Sequence, residues 1–74
     1  MQFNAIIEHD QDGFFAFIPE LKGCVSQGDT LEEALNNIKE AMKLYLEDMD
    51  EEERIRAIKR AYIIAPIEVE LSNA

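Results

Sequence analysis

The sequence predicts an α+β fold: a small antiparallel three-stranded sheet with one long amphipathic helix packed on it (β-β-β-α), then a short helix and a C-terminal strand. Apolar runs on either side of a glycine turn near the amino terminus predict a hairpin. A stripe of apolar residues with a helical period over 31–46 predicts the helix. An alternating segment at 66–71 predicts the last strand. We expect residues 1–48 to form the β-β-β-α unit and residues 49–74 to extend the same single domain.

The first three extended segments are predicted to be consecutive strands. Apolar and polar residues alternate over 2–8, and residues 10–13 contain two aspartates and a glycine, which is typical of a hairpin turn. The second strand, 14–18, is apolar on both faces. Pro19 ends it, because proline has no N–H to donate to a ladder. Residues 24–27 form a short third strand, closed by a glycine.

The long helix has a clear start. Thr30 precedes the apolar stripe and Glu33 follows three residues later, so the threonine oxygen can accept from a first-turn N–H while the glutamate reaches back. Polar residues fill the opposite side of this helix. The stripe consists of Leu31, Ala34, Leu35, Ile38, Ala41, Met42, Tyr45 and Leu46.

Acidic and basic residues are separated along residues 47–60. Six of the seven residues at 47–53 are acidic, and four of the seven basic residues of the chain follow them at 54–60. One interpretation is a phosphate-binding patch. We favour a solvated second helix, because acids at its amino end and bases at its carboxyl end match the helix dipole, and Asp50 can cap it. Nothing in the sequence fixes the boundary between the two helices, near Met49.

The predicted sheet has more apolar surface than one helix can cover. Residues 14–18 are apolar on both sides, so the second face needs the C-terminal tail or another chain. A chain of 74 residues also gains little from its own core, and Cys24 is the only cysteine, so no disulfide forms within it. We therefore expect a homo-oligomer, with residues 66–71 available for pairing between protomers.

Charge and hydropathy limit the classes of function that this chain can have. Sixteen acidic and seven basic residues give a formal net charge of −9, which repels phosphate backbones, so direct nucleic-acid binding is not expected. The amino terminus has no cationic segment typical of a signal peptide. The longest apolar run, 61–67, is far too short to span a membrane. A cytoplasmic protein without membrane contact is the expectation.

Candidates for catalysis are few. His9 lies next to a turn, where a solvated side chain is the simpler interpretation, and Cys24 has no basic neighbour that would make a thiolate. Glu8, Asp10 and Asp12 could converge on a divalent ion, but we favour a solvated acidic turn. No dinucleotide, P-loop or CxxC motif is present in the sequence. We expect no catalytic residues, no metal and no cofactor.

The segment 19–34, with an asparagine and a Glu-Ala pair just beyond it, closely resembles the signature of HicB-like antitoxins. The opening hairpin also resembles that family, and the resemblance covers about residues 1–47. The motif residues, whose role is mainly structural, are Pro19, Leu21, Gly23, Cys24, Ser26, Gly28, Thr30, Glu33, Ala34 and Asn37.

The resemblance implies a partial ribonuclease-H-like fold without the carboxylate cluster of a nuclease. It also implies a HicA-type toxin as partner, a small basic endoribonuclease that cleaves messenger RNA and that the antitoxin blocks without turnover. An acidic chain suits that role, because charge complementarity speeds encounter. Many HicB-like proteins carry a C-terminal DNA-binding module. The residues after about 48 are too few and too acidic for one, so the short form of the family is expected.

The carboxylates nearest the sheet edge are the candidates for contact with the toxin: Glu8, Asp10, Asp12 and Glu20. Two other functions stay open on sequence alone. One is an orphan structural or regulatory domain that self-associates. The other is a divalent-metal nuclease built on the first three of those carboxylates, which RNA cleavage with and without Mg²⁺ would reveal.

Overall fold

The computed structural model describes residues 2–72. It contains a three-stranded antiparallel sheet in the order β1-β2-β3 and two helices, which confirms the α+β class with a β-β-β-α unit followed by a short helix. The elements are β1 (Ile6–Asp10), β2 (Gly13–Phe17), β3 (Val25–Gly28), α1 (Leu31–Glu47) and α2 (Glu51–Lys59).

The first strand begins later than predicted. It starts at Ile6, and pairing of Asp10 with Gly13 extends it to the turn. Upstream of Ile6, a side chain takes the place of a neighbouring strand as hydrogen-bond partner. The backbone N–H of Asn4 donates to Oε2 of Glu20 at 3.0 Å. Because a carboxylate satisfies this donor, the amino-terminal stretch is held in place without being a strand.

Strand register sorts the side chains onto two faces. The row Ile7–Ala16–Ser26 lies on the side of α1, and Ala16 is buried there. The row Ile6–Phe17–Val25 lies on the opposite side, here called the outer face. Val25 is 64 % exposed, so the outer face is not fully covered within the described chain.

The buried core is small and draws on every layer of the fold. It consists of Ala16, Ile18, Leu21, Cys24, Ile38 and Ala57. Its large side chains are Leu21, Ile18 and Ile38, which are 1 %, 2 % and 3 % exposed. Since Ala57 belongs to α2, the second helix packs on the same core as the sheet and α1.

The two helices are separate. Asp50 caps α2, accepting from the N–H of Glu53 at 2.8 Å, while the Glu53 side chain accepts from the N–H of Asp50 at 3.2 Å. Arg54 Nε also donates to the carbonyl oxygen of Leu46, at 2.7 Å. The break near Met49 that the sequence left unplaced is therefore a capping box followed by a new helix.

The predicted C-terminal strand is not confirmed. Residues 60–72 have no helix or strand, and all of them are exposed. The alternation at 66–71 is a real feature of the sequence, but a strand also needs an adjacent strand to pair with, and the segment does not lie beside one in the single chain.

Candidate protein-binding surface

Strand pairing brings two acidic turns together at one end of the sheet. Phe14 pairs with Gly28, so the β1–β2 turn lies beside the loop between β3 and α1. A groove of about 310 Å³ runs between them. Its lining residues are Asp12, Phe14, Phe15, Gln27, Gly28, Asp29, Glu33 and Asn37. We call Asp10, Asp12, Asp29 and Glu33 the acidic end.

The acidic end is held by its own hydrogen bonds. Oδ1 of Asp10 accepts from the N–H of Asp12 at 2.8 Å, which fixes the first turn. Thr30 Oγ1 accepts from the N–H of Glu33 at 3.1 Å, and Glu33 Oε2 accepts from the N–H of Asp29 at 2.9 Å. The predicted cap at Thr30 is confirmed, with the glutamate reaching one residue further back than the cap itself.

The surface formed by these turns is uniformly negative. Each bonded carboxylate has lone pairs to spare, since a carboxylate offers about four acceptor positions. No basic residue lines the groove. The arrangement is therefore suited to bind a cationic surface, where the charges of both partners are complementary.

Gly28 allows the helix start to come this close to the sheet. A Cβ on Gly28 would lie 2.5 Å from the backbone nitrogen of Ala34 and 2.7 Å from Cβ of Glu33. Any side chain there would push α1 away from β3. The motif glycine at this position thus sets the depth of the acidic groove.

The four carboxylates predicted to face a toxin do not lie together. Glu8 and Asp10 share the outer face of β1, Asp12 is in the turn, and all three are exposed. Glu20 is only 6 % exposed, and its Oε2 accepts from both the backbone N–H and the side-chain amide of Asn4. It ties the amino-terminal segment to the β2–β3 connection and is not part of the surface.

Several motif residues have structural positions. Leu21, Cys24 and Ala34 are buried, and Gly23 has a φ of +82°, a conformation that favours glycine. Asn37 donates from its side-chain amide to the carbonyl oxygen of Gln27. Pro19 lies in the turn that follows β2, and Ser26 lies within β3.

Neither Cys24 nor His9 is set up as a reactive group. Burial raises the pKa of the Cys24 thiol, which disfavours the thiolate. The His9 ring stacks on Phe14 with centroids 3.7 Å apart and planes 9° apart. Within residues 2–72, no group of three histidine, cysteine or acidic side chains is placed to hold a metal ion.

Two members of the acidic end, Asp29 and Glu33, are not among the carboxylates that the sequence predicts to contact a toxin. Glu33 is predicted only as a capping and motif residue. The sequence does carry a signal: one glycine turn precedes β2 and another follows β3, and antiparallel pairing of these two strands places the turns side by side. None of the helices in the described part of the chain is both long and apolar enough to span a bilayer.

Comparison with known proteins extends the resemblance along the chain. Residues 3–69 match the family model described as HicB_like antitoxin of bacterial toxin-antitoxin system. A UPF0150 protein of Helicobacter pylori is 56 % identical over 69 residues, which cover 93 % of this chain and 96 % of the relative. A UPF0150 protein of Synechocystis is 43 % identical over 68 residues, which cover 90 % of this chain and 85 % of the relative.

A third relative, a UPF0150 protein of Thermoplasma acidophilum, is 46 % identical over 50 residues, or 66 % of this chain and 72 % of that protein. No solved structure matches the chain significantly. The family match includes the β-β-β-α unit, α2 and most of the exposed tail, and so extends well beyond residues 1–47, which carry the resemblance in sequence. The chain belongs to the HicB-like antitoxin family of bacterial toxin–antitoxin systems.

Proposed function

We propose that this chain is the antitoxin of a toxin–antitoxin pair and that it neutralises a HicA-like mRNA endoribonuclease by direct protein–protein occlusion. The observation that carries the proposal is the family match over residues 3–69. The chain acts as a stoichiometric blocker without turnover. It needs no cofactor and does not bind nucleic acid directly, since its net charge of −9 opposes contact with phosphate.

Charge supports this mechanism. A ribonuclease must attract RNA through a cationic surface, and an acidic partner can occupy the same surface. The acidic end offers carboxylates from two turns and the first turn of α1, held by the hydrogen bonds of Asp10, Thr30 and Glu33. A preorganised array of this kind loses little conformational entropy on binding.

We propose that the toxin meets the acidic end together with the neighbouring outer face of β1. The contacting carboxylates are then Glu8 and the four residues of the acidic end, Asp10, Asp12, Asp29 and Glu33. Glu20 takes no part, because its carboxylate is buried against Asn4.

We also propose the finer features that the family suggests. These are a partial ribonuclease-H-like topology, a single domain made of a β-β-β-α unit over 1–48 with an extension over 49–74, and a cytoplasmic homo-oligomer. The homo-oligomer is supported by the small core and by the exposed apolar side chains of the outer face and tail.

The test is a binding and inhibition experiment with a HicA-type toxin encoded beside this chain. Purified toxin is incubated with labelled mRNA at increasing ratios of the wild-type protein. Complete inhibition at a fixed stoichiometry is expected, with affinity falling as salt is raised, because salt screens surface charges. A chain that neither binds the toxin nor protects the RNA would overturn the proposed function.

A matched pair of variants tests the surface. Asp10→Lys with Asp12→Lys reverses two charges at the acidic end, and Glu40→Lys with Glu47→Lys makes the same change on exposed positions of α1. The first pair is expected to weaken toxin binding by about tenfold or more, and the second by less than about threefold. Equal losses would mean that overall charge matters and that the acidic end is not the contact.

A second candidate function, an orphan domain that self-associates, is favoured by the exposed tail alone. It predicts an oligomer with no response to any HicA-type toxin. Co-expression distinguishes the two, because only an antitoxin restores growth to cells that produce the toxin.

A further inference from the structure

The C-terminal tail, residues 62–71, is the most exposed apolar part of the described chain. Ile63, Ile64, Ile67, Val69 and Leu71 are between 71 % and 90 % exposed. The radius of gyration is 15.4 Å, against about 11 Å for a compact domain of this length, so the tail extends away from the body. A run of aliphatic side chains in water is a surface that needs a partner.

The tail leaves the body beside the first strand. A groove of about 160 Å³ lies between the start of the tail and the outer face. Its lining residues are Asn4, Ile6, Phe17, Pro19, Tyr62, Ile63 and Ile64. Beyond it, residues 66–71 alternate aliphatic side chains with Glu68 and Glu70, the pattern of a strand with one apolar side.

The sheet has two edges, and they differ. At the β3 edge α1 packs along the strand, and the Asn37 amide already donates to the Gln27 carbonyl at 2.8 Å. The β1 edge packs chiefly against β2 and has no other strand beside it in the described chain. The unpaired backbone groups of β1 are therefore the more open template for an added strand.

Charge selects the orientation of a strand added there. Ile6, Glu8 and Asp10 point to the outer face. If the apolar side of the tail joins Ile6 and Phe17 on that face, then Glu68 and Glu70 point away from Glu8 and Asp10. The reverse orientation would place like charges opposite each other across the strand pair, which is destabilising.

We propose that two copies of the chain exchange tails, with residues 66–71 of each copy adding as a strand to the β1 edge of the other. Every copy carries one exposed tail and one open edge, so a two-fold symmetric dimer satisfies both at once. This inference rests on the proposed homo-oligomer and is independent of the toxin. It also explains why the segment predicted as a strand is unpaired in the single chain.

The first test measures mass by light scattering on the full chain. Two copies of 8.5 kDa give about 17 kDa for the wild type. Val69→Lys places a charge on the apolar side of the tail and is expected to yield monomer, or to raise the dimer dissociation constant at least about thirtyfold. The matched control Glu68→Lys introduces the same residue on the other side of the strand and is expected to leave the dimer unchanged.

Both positions are exposed in the single chain, so circular dichroism of the two variants is expected to show the same helix content as the wild type. A monomeric wild type would overturn the inference, as would a dimer that Val69→Lys leaves intact. In the second case the proposed homo-oligomer and antitoxin would both stand, and only the exchange of tails would fall.

The second test separates exchange between copies from pairing within one copy. Both chains carry Cys24→Ala; one adds Val69→Cys and the other adds Glu8→Cys, which lies on the outer face of β1, with different tags. After mixing, a short bismaleimide is expected to join the two tagged chains. A partner carrying Gln27→Cys on β3 is expected to cross-link at least about fivefold less.

One further chain carries Val69→Cys and Glu8→Cys together. Predominantly intramolecular cross-linking at high dilution, with no product between the tagged chains, would mean that the tail pairs with its own β1 and would overturn the exchange. Preferred cross-linking to position 27 would place the tail on the β3 edge and would also overturn it.

Discussion

The side-chain amide of Asn37, on α1, donates a hydrogen bond of 2.8 Å to the backbone carbonyl oxygen of Gln27, on β3. This bond fixes the helix to the edge strand beside the acidic groove, and it occupies an acceptor that a foreign strand would otherwise use. Asn37→Ala is expected to lower the free energy of unfolding by about 0.5–1.5 kcal/mol relative to a matched control. Urea denaturation followed by circular dichroism measures it.

The control is Asn36→Ala, which makes the same change at the preceding exposed position of α1. Alanine is the better helix former at both sites, so subtracting the two values removes that gain. All proteins must be compared at one concentration, because association adds to apparent stability. If the two variants were equally stable, the bond to Gln27 would contribute nothing to the fold.

Alanine substitutions at two glycines of the family motif are expected to destabilise the protein for different reasons, a steric clash at Gly28 and an unfavourable backbone conformation at Gly23. Gly28→Ala places a Cβ 2.5 Å from the Ala34 nitrogen, so α1 must move, and a loss of about 3 kcal/mol is expected. Gly23→Ala meets no atom within 4 Å, but its φ of +82° is unfavourable for alanine, and about 1–2 kcal/mol is expected.

Thermal unfolding ranks the two glycine variants. NMR chemical shifts of Asp29 and Glu33 add a readout that stability alone does not give, because only Gly28→Ala should displace the start of α1. A Gly28→Ala protein as stable as Gly23→Ala would show that the helix approaches the sheet less closely than described.

Local patterns predicted the elements well where local chemistry defines them. The cap at Thr30 and the cap at Asp50 follow from side chains that satisfy N–H groups within one turn, and both are observed. The position of β1 was predicted less well, because the donor at Asn4 is satisfied by Glu20, sixteen residues away. No periodicity of the sequence indicates such a long-range contact.

The candidate surface was predictable only in part for the same reason. Asp10 and Asp12 stand out in one turn, whereas Asp29 joins them through the pairing of Phe14 with Gly28. Glu20 is a charged residue of the kind usually found at the surface, but it is buried. The strand at 66–71 requires an adjacent strand, so its formation depends on assembly, which periodicity within one chain does not encode.

The Cys24 thiol is expected to make the free energy of unfolding depend on pH. Burial raises the pKa of its thiol above the ordinary value of 9.0, so the folded chain keeps the proton at a pH where the unfolded chain loses it. This contribution to stability is fully present below the unfolded pKa and is lost as pH rises from there through the folded pKa. Stability is therefore expected to fall above about pH 9.

The control for this slope is Cys24→Ala, which has no thiol to titrate. Urea denaturation at several pH values between about 7 and 10 compares the two proteins, and only the wild type should lose the thiol contribution. Thiol labelling of the folded wild type should also be much slower than in denaturant. Identical slopes would show that the thiol does not titrate differently on unfolding.

The last prediction concerns the helix from which the tail emerges. Asp50 forms the capping box of α2, and α2 brings Ala57 into the core and Arg60 within 3.4 Å of the Glu20 carbonyl. Asp50→Ala should cost about 1 kcal/mol. Asp48→Ala, the same change at the carboxyl end of α1, should be neutral or slightly stabilising, because a negative charge there opposes the helix dipole.

Hydrogen exchange of the α2 amides distinguishes local from global effects. Asp50→Ala should lower protection in α2 more than in β2, since the cap acts on the first turn of α2 while the sheet keeps its own ladder. The decisive outcome is a loss of stability in Asp50→Ala with no loss in Asp48→Ala. Equal losses would mean that removal of an acidic side chain, and not of the cap, weakens the protein.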